Sequence, residues 1–145
     1  MNNLLNNVEF VVVEASASAG QTELTTDVID MAGWHGVAFV AHLGDVSSGS
    51  VLGLVADHSD TGSSAWDDLA GPLAFTAGVS DADNKLLILD IVRPEKRYVR
   101  ARLTRTTANA IVGGIIAIKY GGTAVPITQG ATVLRSATLA NPVAA

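Results

Sequence analysis

Between Tyr98 and Thr104 every second residue is apolar. On an extended chain Val99, Ala101 and Leu103 fall on one side, and Tyr98, Arg100, Arg102 and Thr104 on the other. A period of two with β-branched and aromatic residues specifies a strand with one buried and one polar face. Such a strand obliges the chain to supply a second layer over its apolar side. Pro94 cannot donate to a ladder and suits the strand's entrance. Residues 93–105 also hold six of the nine basic residues and one acid, Glu95. Two readings stay open. The basic face meets an acidic partner, or acidic strands of the same fold neutralise it, since exposed ion pairs are common and individually weak.

The charge distribution sharpens that choice. Residues 1–92 carry thirteen acids and only Lys85, a net of −12, whereas residues 93–145 carry a net of +7. A chain polarised this way pairs its own halves, or presents opposite charges to copies of itself. Its overall charge of −5 argues against general nucleic-acid binding, because phosphates would be repelled.

Short apolar runs separated by turn residues fill the rest. Strands are expected at residues 8–15, 21–29, 37–43, 50–57, 85–92 and 110–120, with a short strand or turn at 69–75 broken by Gly71-Pro72. Residues 16–20, 44–49 and 78–84 read as loops. Residues 58–68 read as a polar connection, with one helical turn possible at 65–70. The run 85–92 (KLLILDIV) is apolar on both faces and reads as a central strand. Gly113-Gly114 marks a bend or bulge in the last strand. Some eight strands at ~8–12-residue spacing specify an all-β single domain: a β-sandwich, jelly roll or barrel. Residues 8–122 form that domain. Residues 1–7 form an N-terminal arm with Leu4 and Leu5 as possible anchors, and residues 123–145 an extended C-terminal tail. The core is expected to be aliphatic, because aromatics make up 5% of a chain that is 48% hydrophobic. The beginning of the chain has neither the basic segment nor the apolar run of a signal peptide. No window approaches the ~20 apolar residues of a membrane helix, so no membrane partner is expected.

No cysteine is present, which removes disulfides and thiolate chemistry. His35, His42 and His58 match no zinc spacing, and His42, in an apolar strand, reads as a hydrogen-bonded structural residue. Asp57-His58-Ser59-Asp60 brings polar residues together without the geometry of a triad. Nucleophile-elbow and phosphate-loop patterns are absent, so no enzyme activity and no cofactor are expected. Asp57–Asp60 and Asp81–Asp83 offer oxygen ligands for calcium, but Asx turns account for them equally. Trp34 and Trp66 either stack on a sugar or cap the ends of a sandwich.

Two motifs together carry a resemblance. One is Ser59-Asp60-Thr61-Gly62-Ser63-Ser64-Ala65-Trp66-Asp67-Asp68, following a strand. The other is Lys96-Arg97-Tyr98-Val99-Arg100, leading to a glycine-rich apolar strand. Their order, with the turn Trp34-His35-Gly36-Val37 before them, resembles small structural proteins of tailed-bacteriophage heads over residues 20–120. The resemblance implies a non-enzymatic capsid decoration (cement) protein on the exterior of the virion. It further implies the major capsid protein as partner and a homotrimer as the oligomer. Leu4, Leu5, Arg97, Arg100 and Arg102 are then candidates for a capsid or subunit interface. A head–tail connector, a tail or fibre protein, and a carbohydrate-binding jelly roll are the alternatives.

Overall fold

The alternation at residues 98–104 is realised with one side fully covered: Val99, Ala101 and Leu103 expose no surface. The computed structural model describes residues 3–69 and 73–139. Within them lie β1 (Val8–Glu14), β2 (Ala17–Gly20), β3 (Leu24–Thr25), β4 (Ile29–Asp30), β5 (Gly36–Val46), β6 (Val51–Ser59), β7 (Asp67–Asp68), β8 (Leu73–Thr76), β9 (Leu86–Val92), β10 (Tyr98–Thr106) and β11 (Ala110–Tyr120).

The first sheet has the order β1-β11-β5-β9, with β2 added on β11. The second has the order β3-β10-β6-β7, with β4 added on β10 and β8 on β6. Every pairing is antiparallel. Taking β3 with β4 and β7 with β8 as interrupted strands, the pairs nest from the outside in: β1 with β11, β3/β4 with β10, β5 with β9, and β6 with β7/β8. A long hairpin rolled up in this way is a jelly-roll sandwich. The inner faces meet in one aliphatic core. Phe39 and Leu43 of β5 and Ile115 of β11 come from the first sheet, and Leu52, Leu54 and Leu103 from the second.

Several sequence expectations change. Residues 16–20 are not all loop, because Ala17–Gly20 pairs with β11. The cause is Arg105, which continues the buried side of β10 and is 4% exposed. Its guanidinium donates to the carbonyls of Ser18, Thr22 and Ala110 at 2.9, 2.8 and 2.6 Å, tying β2 in place. The strand expected over 21–29 breaks at Thr26. There the Thr26 N–H donates to the Ala101 carbonyl, and Ala101 N–H donates to Thr26 Oγ1, both at 2.9 Å. A side-chain hydroxyl thus replaces one ladder carbonyl. The helical turn considered at 65–70 is instead an extended β7, entered through Ala65 at φ 55°. The expected break at Gly71-Pro72 lies outside the described residues.

The largest correction concerns β9. It is an edge strand bonded only to β5 among the described residues, not a central one. Leu87, Leu89 and Ile91 pack on the core while Leu86, Ile88 and Val92 stand exposed. The described start of the arm, residues 3–7, is a turn closed by the N–H groups of Asn7 and Val8 on the Leu4 carbonyl, both 3.0 Å. Residues 123–139 hold no strand and run alongside β1. Ile127 N–H donates to the Asn6 carbonyl. The Gln129 carboxamide accepts from Phe10 N–H at 2.9 Å and donates to the carbonyls of Val8 and Leu5. Thr132 Oγ1 accepts from Val12 N–H at 3.1 Å. The Gln129 amide thus stands in for a neighbouring strand and blunts an edge that would otherwise template association.

Candidate interaction surfaces

The outer face of the second sheet is built around Asp57. The register sets Arg100 of β10 opposite Asp57 of β6. Arg102 reaches the same carboxylate with a fork, Nε to Oδ2 at 2.8 Å and Nη2 to Oδ1 at 3.1 Å, and Arg100 Nε adds a third bond at 3.1 Å. Arg102 also donates to Asp68 at 3.0 Å and lies 3.5 Å from Glu23. The two arginines cover Asp57 so fully that it is 2% exposed. Burial pushes its carboxyl up, and the hydrogen bonds from Arg102 and Arg100 outweigh that, so its pKa ends below the ordinary carboxylate value.

The two motifs of the sequence interlock along this face. Gly62 lies on the Tyr98 ring. The Arg100 guanidinium stacks over Trp66, 4.2 Å from the ring centre. Lys96 pairs with Asp67, and Arg102 with Asp68. The loop between them is closed by Ser59 Oγ, which accepts the N–H groups of Thr61 and Gly62. Beside the cluster Arg97 forks onto Asp30, at 2.9 and 2.8 Å. That contact, with an N–H from Ala32, brings the Asp30 carboxyl down to about 2. Arg97, Arg100 and Arg102 therefore all meet acids from the first 92 residues. The charge asymmetry along the chain is met within the fold.

Of the remaining candidates, Leu4 is exposed and Leu5 half-buried at the turn before β1. The structure does not bring them to the arginines' cluster. His42 is exposed on the outer face of β5 rather than hydrogen-bonded in the interior, a correction that follows from its odd register next to the bulge at Gly113 and Gly114. His58 is buried on the inner face of β6, its Nδ1 without a partner among the described residues. Asp81 accepts from the N–H of Gly78 within its own loop, and Asp83 accepts from the N–H of the distant Val46 on β5. Among the described residues no three acids or histidines are grouped to hold a metal. Both tryptophans carry a cation on one face: Arg100 on Trp66, and Lys119 at 4.7 Å on Trp34. Trp34 also packs on the core. A sugar would have to compete for those faces.

The outer face of the first sheet is different. Register places Val12, Ile116, Val40 and Ile88 in one row across β1, β11, β5 and β9. Val12, Ile116 and Ile88 are exposed, as are Leu86 and Val92 beside them. A depression of about 440 Å³ lies at one end of the row, lined by Val12, Glu14, Val40, Leu86, Ile115 and Ile116 among others. Sequence reasoning misses this surface because strands without polar alternation read as buried on both faces. Apolar surface of this kind gains free energy when it is removed from water.

No protein-family model matches the chain, and no curated protein matches it. Solved structures share its fold. The PBSX exported protein XepA superposes with a TM-score of 0.55 at 18% identity, over 97% of this chain and 46% of XepA. This chain therefore spans about half the length of that protein. Structures of infectious bursal disease virus, Gx and Gt strains, give TM-scores of 0.46 and 0.45 at 16% and 14% identity. Each covers 82% of this chain, and 34% and 33% of the viral chains. With XepA, at 18% identity, what is shared is the two-sheet sandwich.

Proposed function

We propose that this chain is a non-enzymatic structural protein of a tailed-bacteriophage virion. It binds the outer surface of the capsid as a homotrimer, with the major capsid protein as its partner, and holds the assembled shell closed. The observation that carries the reading is the division of the two outer faces. The polar face is consumed by its own ion pairs, while the apolar row of Val12, Ile116, Val40 and Ile88 is left open. A protein built to pack against neighbours has this division, because apolar area removed from water drives association.

Three further points support it. The phage-like motifs are the parts that interlock across β6, β7 and β10, so the resemblance rests on residues that act together. The jelly roll recurs in viral capsid domains. The name of XepA places a similarly folded protein in the PBSX set of exported proteins. Mechanistically, a protein that binds only the assembled, expanded lattice stabilises it by mass action. Several contacts per trimer add avidity without strong single contacts.

Co-sedimentation with purified shells lacking tails tests the reading. The protein is expected to pellet with expanded shells in a saturable amount and to stay in solution with unexpanded ones. A protein that ignores both shell forms contradicts it.

A further inference from the structure

We propose that residues 133–139 form an arm that grips the outer apolar face of the first sheet on a second copy of this chain, so that copies join head to tail in a ring. This inference rests on the homo-oligomer of the proposed function and names its contact.

The arm's base is fixed. Ile127, Gln129 and Thr132 bond in turn to Asn6, to Val8 and Phe10, and to Val12, so the chain travels parallel to β1. Residues 134–139 are exposed. Leu134 is 86% exposed and Leu139 is 91% exposed, the two most exposed large hydrophobic side chains of the described residues. Two leucines wholly in water release free energy when a partner covers them.

The acceptor is the row Val12, Ile116, Val40 and Ile88 with its depression. Its size admits a leucine side chain, and its walls combine the aliphatic Val12, Val40, Leu86, Ile115 and Ile116 with the polar Glu14, Ser16 and His42. Charge agrees as well. Arg135, adjacent to Leu134, pairs with no carboxylate among the described residues, and its guanidinium bonds only to the Leu134 carbonyl. Glu14, equally without an ion-pair partner there, lines the depression.

The geometry points to a neighbour rather than the same chain. Thr132 is bonded beside Val12, at the end of the row, yet among the described residues Leu134 and, in the row, Val12, Ile116 and Ile88 stay exposed. Donor and acceptor are different surfaces of one molecule. Repeated head to tail about the three-fold axis of the proposed trimer, such a contact closes into a ring, whereas the same contact made reciprocally by two copies would give a two-fold dimer.

The chain has no cysteine, so a Leu134→Cys, Leu86→Cys double variant gives a clean readout. Mild oxidation followed by a denaturing, non-reducing gel is expected to show linked multimers absent from either single variant. A monomer band with both thiols oxidised means the arm folds on its own chain and overturns the proposal. Two free thiols overturn it as well. In parallel, Leu134→Asp with Leu139→Asp is expected to weaken self-association about tenfold or more per leucine, read by light scattering. Measured at protein concentrations too low for self-association, the unfolding midpoint should not move, because both residues are exposed. An unchanged mass at all concentrations overturns the arm. These readouts involve no shells, so loss of the ring with shell binding intact condemns the arm alone, and an intact ring that ignores shells condemns the capsid reading alone.

Discussion

Gly62 lies against the ring of Tyr98, so near that a Cβ at Gly62 would come within 2.9 Å of Tyr98 Cγ. Its φ of 78° is also one that other residues rarely adopt. This contact joins the two sequence motifs, and the pairs Trp66 with Arg100, Asp67 with Lys96, and Asp68 with Arg102 follow from it along the strand. The motifs are thus one brace across the second sheet.

Gly62→Ala carries both the backbone strain and the clash. It is expected to lower stability by about 2 kcal/mol in denaturant unfolding. The companion change Tyr98→Leu would relieve the ring contact but not the backbone term, so the double variant should recover only part of the loss.

Asp57→Asn leaves Arg100 and Arg102 over a neutral amide in a nearly dry site. A loss of about 3 kcal/mol near neutral pH is expected, in the range for breaking a buried pair. Asp30→Asn removes an exposed pair and should cost about 1 kcal/mol or less. Equal losses for the two would contradict the central place given to Asp57.

Acid should unfold the protein in a defined window. The folded-state pKa values of Asp57 and Asp30 are both lowered from the ordinary carboxylate value, Asp30 to about 2. Such groups stabilise the fold fully above their unfolded value, and that contribution is lost as pH falls through the folded value. Thermal midpoints should hold down to about pH 5 and fall between about pH 4 and 2. The penalty of Asp57→Asn should shrink once pH falls through the lowered folded-state value of Asp57, because the wild-type carboxyl then becomes neutral too.

Gln129→Ala tests the capping of the β1 edge. Hydrogen exchange at the Phe10 amide is expected to accelerate, since that N–H loses its acceptor. Amides at Glu9 and Val11, whose residues pair with Lys119 and Ala117 on β11, should change little. Uniform acceleration along β1 would mean the tail holds the whole strand rather than its free edge.

How much of this was legible in the sequence depends on where each signal lives. β5, β6, β10 and β11 declare themselves through local pattern, and even the bulge at Gly113-Gly114 follows from its glycines. β2 could not be read, because Ala17–Gly20 has no strand propensity of its own and depends on the distant Arg105. β9 was misplaced for a different reason: Leu86, Ile88 and Val92 are as apolar as the core residues between them, so composition cannot separate an edge from a centre. The arginines at 97, 100 and 102 were visible as a cluster, but their partners Asp30, Asp57 and Asp68 lie 34 to 67 positions away. The pairings of β4 and β6 with β10, and of β7 with β6, bring them together.

The most direct test of the central claim is the temperature at which purified, expanded, tail-free shells open, measured against the concentration of added protein. The account predicts that the opening temperature climbs with the logarithm of free protein once the sites are filled. It also predicts that Ile88→Asp with Ile116→Asp, placed in the exposed row, abolishes the rise while the isolated domain stays folded. Shells that open at the same temperature with and without saturating protein would contradict it.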